Sequence, residues 1–312
     1  MMRFAFTIAA AMALAAPLAA QDAGSLAGKR VLFVGDSITQ AGGYIGFTTY
    51  YLEKLHPERD FDFLGLGLAS ETLSGLSEDG HAGGMFPRPC LFERLGRVLE
   101  KTKPEVVFAC YGMNDGIYLP LEEGRFAKFQ DGMRRLHEAV TARGAKIVHL
   151  TPAIFDPTPP EPRAMSYDAV LTRYSEWLIE QRQSGWAVVD LHGPMGAAVD
   201  AQRKINPAFT FAKDHVHADE AGHAVMAEAL LAGLNADRLP EFNRLLASEW
   251  MNSPAGREYA AMIRKSGRIT IGAWLSATGH LRPGVAQGLP LAEAQAQTTE
   301  LERQIRATQI PR

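Results

Sequence analysis

The chain has 312 residues, of which 46% are apolar and 21% charged, and its formal net charge at pH 7 is -3. This length is enough for one α/β domain with an added helical segment. The small net charge argues against nucleic acid or an anionic membrane as a partner, and two cysteines, Cys90 and Cys110, are too few for a disulfide framework. Two free thiols are the simplest state of this pair, and a single bridge is the alternative.

The first 20 residues have the pattern of a secretory signal peptide. Arg3 supplies positive charge, residues 4–18 form an almost unbroken apolar run, and Ala19 and Ala20 precede the polar Gln21. The alternative, a membrane anchor, is weaker because this run is shorter than the roughly 20 residues that span a bilayer. We therefore expect cleavage after Ala20 and a secreted or periplasmic protein with no stable membrane insertion.

Strand and helix patterns alternate through most of the chain. Five short apolar runs, most of them rich in Val, Ile or Phe, predict β-strands at residues 30–34, 61–66, 106–111, 146–150 and 186–191. Helical patterns lie between them, for instance at residues 48–55, 91–101, 126–143 and 167–183. This alternation predicts a parallel sheet with helices on both faces.

The remainder of the chain has helical signals and no strand pattern. A helix is predicted at residues 219–234, within which His223 is expected to pack or form a hydrogen bond. Pro254 follows Asn-Ser as a helix start, and residues 279–284 predict a turn between helices. From about Ala292 the sequence is rich in Gln, Glu and Ala, which predicts a frayed, solvated helix.

The first predicted strand leads into Gly35, Asp36 and Ser37 at a strand-to-helix turn. Ligands bind at the carboxyl ends of strands in an open parallel sheet. A serine there exposes its hydroxyl, and its backbone N–H can donate to a developing oxyanion. Ser37 is therefore a candidate nucleophile, and the alternative is that Asp36 or Ser37 only caps the helix.

A second polar segment, at residues 111–116, follows the third predicted strand. Gly112 lets the backbone approach a ligand, and the Asn114 amide can donate a hydrogen bond to an oxyanion. The alternative is a plain turn, because Asn-Asp-Gly is a common turn sequence.

The third polar segment, after the fifth strand, contains Asp214, His215 and His217. A serine is a weak nucleophile unless an imidazole takes its proton, and that imidazole needs a carboxylate to orient it. Asp214 and His217, three residues apart, can supply both groups, whereas neighbouring side chains such as those of Asp214 and His215 tend to point to opposite sides. The alternative is a zinc site formed by these three residues, which lacks a further clearly placed donor.

Taken in order and spacing, these segments resemble blocks I, III and V of the SGNH (GDSL-type) hydrolases. The matching segments are residues 35–37, 112–115 and 214–217, and the resemblance extends over about residues 29–235. It implies an α/β fold with three α/β/α layers and a parallel five-stranded sheet of the flavodoxin-like type, to which we add a C-terminal helical extension. The expected divisions are a signal peptide at 1–20, a hydrolase domain at 21–235 and the extension at 236–312.

Block II departs from the family pattern. Ser70, Glu71 and Thr72 align with the Gly-Asp/Glu-Thr of the family, which places a serine where glycine is usual. The backbone N–H of Ser70 can still face an oxyanion, and Gly67 is the alternative donor. Ala218 stands where the family commonly has proline, a change expected to loosen that loop.

The resemblance assigns the roles of the polar residues. It makes Ser37 the nucleophile, His217 the base and Asp214 the residue that orients the base. The oxyanion donors are then Ser37, Ser70 and Asn114, with no cofactor and no metal. The expected activity is that of an exported serine esterase that acts on a small-molecule or glycan ester, first of all a carbohydrate O-acetylesterase. A lipase, arylesterase or thioesterase is the alternative within this chemistry, and a non-catalytic glycan-binding protein is the alternative outside it.

One long loop, at residues 79–89, carries His81 and Arg88. Long loops in compact domains are often functional. Two interpretations stand: a wall of the substrate cleft with His81 or Arg88 on the substrate, or a plain surface loop.

Overall fold

A parallel five-stranded sheet forms the centre of the molecule. The computed structural model describes residues 23–236 and 253–308. The strand order across the sheet is β2-β1-β3-β4-β5. The strands are β1 (Arg30–Gly35), β2 (Asp62–Gly65), β3 (Val106–Cys110), β4 (Lys146–Leu150) and β5 (Ala187–Val189). The predicted parallel sheet and its five strands are therefore confirmed.

Helices cover both faces of this sheet. In chain order they are α1 (Ser37–Ala41), α2 (Gly43–Leu55), α3 (Leu95–Thr102), α4 (Glu123–Thr141), α5 (Asp168–Glu180), α6 (His192–Arg203), α7 (Glu220–Gly233), α8 (Pro254–Thr278) and α9 (Leu291–Ala307). Sequence analysis named no helix at α6, whose first turns contain Gly193, Pro194 and Gly196, all poor helix formers.

Two apolar cores explain why the sheet is buried on both sides. Phe33 and Phe108 stack in the core that α2, α6 and α7 cover, with ring centroids 4.8 Å apart. Leu32 and Val107, which point to the other face, pack with helices α3, α4 and α5. Since neighbouring residues of a strand face opposite sides, a strand covered on both faces has to be apolar throughout, as β3 is. This arrangement is the predicted α/β/α sandwich.

The C-terminal helices pack on the sandwich beside α2 and β2. Helix α8 begins at Pro254, where the Ser253 hydroxyl accepts a hydrogen bond from the Gly256 backbone N–H. Its Tyr259 and Ile263 side chains join the core that contains α2. The predicted helical extension is therefore present, and residues 279–284 lie between two helices as expected.

The prediction of a solvated last helix holds for most of α9, whose residues are largely exposed, but one side of the helix packs on the domain. Ala294, Thr298 and Ile305 on α9 are buried. The Arg306 guanidinium donates to the Glu53 carboxylate on α2 at 2.8 Å. The Gln- and Ala-rich composition hid an apolar face that α2 and α8 cover, so the helix is held by tertiary packing rather than by its own propensity.

Predictions were also made for the two cysteines and for the first residues of the chain. Cys90 and Cys110 are free, and Cys110 is buried at the end of β3. The predicted signal peptide lies outside the described residues. None of the helices described here combines the length and apolar character that crossing a membrane requires.

Packing of α9 can be tested with two isoleucines of opposite exposure. Ile305 is fully buried, whereas Ile205, after α6, is 82% exposed. Ile305→Ala should lower the free energy of unfolding by about 2 to 5 kcal/mol because it leaves a cavity. Ile205→Ala, the matched control, should change it by less than about 0.5 kcal/mol. Urea unfolding of the full chain measures both, and equal effects would mean that α9 is not packed.

Candidate active site

Three polar segments meet at the carboxyl edge of the sheet. Gly35, the last residue of β1, pairs in register with Cys110, the last residue of β3. The segments that follow these two strands therefore leave the sheet side by side, and they carry Ser37 and Asn114. The segment that carries Asp214 and His217 precedes α7, which packs against α2 on one face of the sheet.

Ser37, His217 and Asp214 form a continuous hydrogen-bonded chain. The Ser37 Oγ lies 2.8 Å from His217 Nε2, and His217 Nδ1 lies 2.6 Å from Asp214 Oδ2. A carboxylate can only accept, so the imidazole donates from Nδ1, and Nε2 is left to accept the Ser37 hydroxyl proton. The structure thus brings together the three residues that the sequence predicts as nucleophile, base and orienting acid.

The loop around Asp214 holds the carboxylate in place. Its Oδ1 accepts hydrogen bonds from the backbone N–H groups of Val216 and His217, at 3.1 and 2.8 Å. Burial works to raise the pKa of Asp214, but hydrogen bonds from the His217 ring and from these N–H groups outweigh it and lower the pKa to about 2. The acid is therefore ionised throughout the neutral range, as an orienting partner of an imidazole has to be.

Packing explains Gly35, and a helix cap explains Asp36, at the turn before Ser37. A Cβ on Gly35 would lie 2.1 Å from Thr39 Oγ1 and 2.6 Å from the Cys110 carbonyl oxygen. The Asp36 side chain is buried and accepts a hydrogen bond from the Ile38 backbone N–H, so it caps α1. Burial raises the pKa of Asp36 to about 7. The capping alternative thus describes Asp36, while the Ser37 hydroxyl faces His217.

Asn114 follows β3, whose last residue pairs with the last residue of β1, and it is only 3% exposed. Its Nδ2 donates to the Glu71 carbonyl oxygen at 3.2 Å. Its Oδ1 accepts from Arg88 Nη1 at 2.9 Å and from the Tyr118 hydroxyl at 3.2 Å. The second hydrogen on Nδ2 makes no hydrogen bond within the described residues, so it is available to a ligand.

The Glu71 segment is fixed by an ion pair that is fully buried. Arg94 Nε and Nη2 donate to the two Glu71 carboxylate oxygens at 2.6 and 2.7 Å, and the Tyr111 hydroxyl donates to the same carboxylate. Ser70, just before Glu71, has a left-handed backbone with φ of 66°. That conformation favours glycine, which explains why the family usually has glycine at this position.

Ser70 and Gly67 differ in their surroundings. A Cβ on Gly67 would lie 2.2 Å from the Gln40 backbone nitrogen and 2.6 Å from the Asp36 carbonyl oxygen. Gly67 is therefore packed against the backbone of α1 and of its N-cap residue. Ser70 is half-buried, and its backbone N–H makes no hydrogen bond with any described residue. This contrast favours Ser70 as the second backbone donor, an assignment that stays a prediction.

The other two histidines of the third segment lie elsewhere. His215 Nδ1 lies 3.0 Å from the Asp156 carbonyl oxygen, and its ring packs near Phe155. His223, on α7, accepts a hydrogen bond from the Tyr44 backbone N–H, and burial lowers its pKa to about 4. The zinc interpretation needs His215 beside Asp214, which this geometry does not provide. Within the described residues no three side chains of His, Cys, Asp or Glu are grouped as a metal site.

Tyr118 and Arg88 make contacts at the site that the sequence did not indicate. Tyr118 follows Ile117, and both have left-handed backbones, with φ of 56° and 49°. Two such residues in succession are strained, and strain of this kind gathers at functional sites. Arg88 is buried and binds Asn114, so the plain-surface-loop interpretation does not describe it. No pattern in the sequence indicates that contact, which joins two loops.

A family model matches residues 33–225, more than half of the chain, and its description is GDSL-like lipase/acylhydrolase family. The chain therefore belongs to the GDSL-like lipase/acylhydrolase family, as the three motifs predict. Membership makes it a carboxylic ester hydrolase. A comparison with curated protein sequences finds no significant match.

Solved structures share the fold. An acetylxylan esterase from Geobacillus stearothermophilus is 20% identical, with a TM-score of 0.51, over 70% of this chain and 98% of that one. An alpha/beta hydrolase enzyme from the metagenome of Lake Arreo, Spain, is 23% identical, with a TM-score of 0.51, over 67% and 96%. A gut microbial diltiazem-metabolizing enzyme is 21% identical, with a TM-score of 0.54, over 67% of this chain. The match spans only 47% of that last enzyme.

Proposed function

We propose that this chain is an exported serine esterase that removes acetyl groups from a carbohydrate through an acyl-enzyme. The observation that carries the chemistry is the hydrogen-bonded chain from Ser37 Oγ through His217 to Asp214. In this arrangement the serine hydroxyl faces one nitrogen of an imidazole, and the other nitrogen faces a carboxylate. Such an arrangement activates a hydroxyl for nucleophilic attack.

The reaction proceeds in two acyl transfers. Ser37 Oγ attacks the ester carbonyl carbon while its proton passes to His217 Nε2, and Asp214 stabilises the imidazolium that forms. The tetrahedral intermediate collapses, the C–O bond to the alcohol breaks, and His217 returns the proton to the leaving oxygen. Water then attacks the acyl-enzyme with His217 again taking a proton, and the carboxylic acid leaves as Ser37 is restored.

Three donors converge on the oxyanion in this mechanism. They are the backbone N–H groups of Ser37 and Ser70 and the free hydrogen of Asn114 Nδ2. Removal of one such donor costs on the order of 3 kcal/mol of transition-state stabilisation in other hydrolases. The orientation of the Asn114 amide is set by the Glu71 carbonyl oxygen, which accepts from Nδ2, and by Arg88 and Tyr118, which donate to Oδ1.

The openness of the site supports a hydrated substrate. The His217 side chain is 52% exposed and that of Asp214 is 58% exposed, so a bulky polar alcohol can lie over the base. The sequence has no large apolar lid signal, which favours a carbohydrate esterase over a lipase. A solved structure with this fold is an acetylxylan esterase, and this supports a carbohydrate ester as the substrate that we propose for this chain.

A series of 4-nitrophenyl esters, followed by acetylated oligosaccharides, tests this proposal. We expect the acetyl ester to have the highest kcat/KM, and acetate to be released from at least one acetylated glycan. Faster turnover of long acyl chains would indicate a lipase instead. Turnover at the background rate for every ester would indicate a glycan-binding protein that keeps the fold.

Two histidines separated by one residue provide a matched test of the base. His217→Ala should lower kcat by about 10³-fold or more, because Ser37 loses its proton acceptor. His215→Ala, its control, should cost far less, because that side chain contacts the Asp156 carbonyl rather than the triad. Steady-state kinetics with 4-nitrophenyl acetate measures both. Similar losses in the two variants would contradict the assignment.

Export is part of the same proposal and is supported by the first 20 residues alone. Their positive start, apolar run and closing alanines are typical of a cleaved leader. Expression with this leader in a bacterium should yield mature protein that begins near Gln21 in the periplasm or medium. N-terminal sequencing decides the point, and an intact Met1 in the membrane fraction would indicate an anchor.

A further inference from the structure

The loop from Glu78 to Arg88 contains a polar cluster around a buried arginine that the mechanism above does not use. Arg88 is only 8% exposed. An arginine is rarely buried to this extent unless it is paired. Its Nε and Nη2 each lie 2.6 Å from a different oxygen of the Glu78 carboxylate. His81 Nδ1 lies 3.1 Å from Glu78 Oε1. The cluster is thus anchored within its own loop.

The third guanidinium nitrogen of Arg88, Nη1, binds a residue of a different loop. Arg88 Nη1 donates to Asn114 Oδ1 at 2.9 Å, and this contact spans 26 residues. The guanidinium also lies over the Tyr118 ring, 5.2 Å from its centroid, and the Tyr118 hydroxyl donates to the same Asn114 oxygen. Two donors from two directions therefore converge on one amide oxygen.

This convergence determines which way the Asn114 amide points. A guanidinium only donates, so the atom facing Arg88 has to be Oδ1. A backbone carbonyl only accepts, so the atom facing Glu71 has to be Nδ2. A flipped amide would set donors against donors on one side and oxygen against oxygen on the other. One hydrogen of Nδ2 is then committed to Glu71, and the other has a fixed direction.

The charge of Arg88 adds to this geometric effect. A cation hydrogen-bonded to an amide oxygen draws electron density from the amide and makes its N–H a stronger donor. Burial works to raise the pKa of Glu78, but hydrogen bonds from Arg88 outweigh it and lower the pKa. Glu78 therefore stays ionised and holds the guanidinium in one orientation.

We infer that Arg88, clamped by Glu78, is a positioning residue that aims and polarises the Asn114 amide toward the oxyanion. This inference rests on the proposed function, because it concerns the oxyanion donor of that reaction. It assigns Arg88 no contact with substrate. The loss of Arg88 should therefore act on kcat rather than on KM, and it should act only while Asn114 is present.

A double-mutant cycle with 4-nitrophenyl acetate tests the inference. Arg88→Met, which keeps the bulk and removes the donors, should lower kcat about 10- to 100-fold with KM changed less than about threefold. Asn114→Ala should lower kcat by about 100-fold. The double variant should be close to Asn114→Ala alone, because Arg88 then has no amide to position. Arg282→Met, the control, changes an arginine that packs over Phe86 of the same loop without contacting Asn114, and it should keep wild-type kcat.

Two further variants keep the test decisive if Arg88→Met fails to fold, which thermal unfolding would reveal. Arg88→Lys retains the charge without the bidentate pair, and Glu78→Gln weakens the clamp. Each should lower kcat by a smaller factor, and neither should have an effect in an Asn114→Ala background.

Three results would overturn the inference. A wild-type kcat in Arg88→Met, a rise in KM alone, or equal losses with and without Asn114 would each contradict a positioning role. Failure of the proposed function is distinguishable, since the wild-type chain itself would then show no turnover above background, and the role of Arg88 would fall with it.

Discussion

The parallel register of the sheet is the constraint on which the site depends. Pairing of Gly35 with Cys110 brings the ends of β1 and β3 to one edge, and the chain can then reach Ser37 and Asn114 within a few residues of each strand. Packing of α7 against α2 fixes the segment before α7 over the same edge. A contact across 180 residues, from Ser37 to His217, follows from that arrangement.

Several polar side chains on the segments that form the site are buried. Asp36, Glu71, Arg88, Arg94 and Asn114 are all nearly inaccessible to water. Burying charges is costly unless they are paired, and each of the two arginines is paired with a carboxylate. Groups held this way cannot reorient, so hydrogen-bond donors at the site stay aimed without solvent rearrangement. These pairings thus hold the Asn114 amide in one orientation.

The sheet could be predicted from the sequence because buried parallel strands form continuous apolar runs. Runs such as that of β3 are apolar throughout, and the polar motif after each strand marks its carboxyl end. Asp214 and His217 could be paired because they lie three residues apart on one loop, and the resemblance to the family assigned their roles.

What sequence could not predict depends on contacts between distant segments. The polar composition of helix α9 predicted a solvated helix. Only the position of α2 shows that Ile305 is covered. Arg88 was expected either to contact substrate or to lie in a plain surface loop, and its contact with Asn114 depends on how two loops meet. Spacing along the chain carries no information about such partners, whereas the fold places them within hydrogen-bond distance.

Activation of Ser37 is the central claim, and an organofluorophosphonate tests it most directly. Attack by Ser37 Oγ forms an O–P bond, fluoride leaves, and His217 accepts the hydroxyl proton, so only an activated serine reacts. Mass spectrometry of the digested protein should find one modified peptide, the one that contains Ser37. A label on a different serine, or no label on a folded sample, would contradict the account.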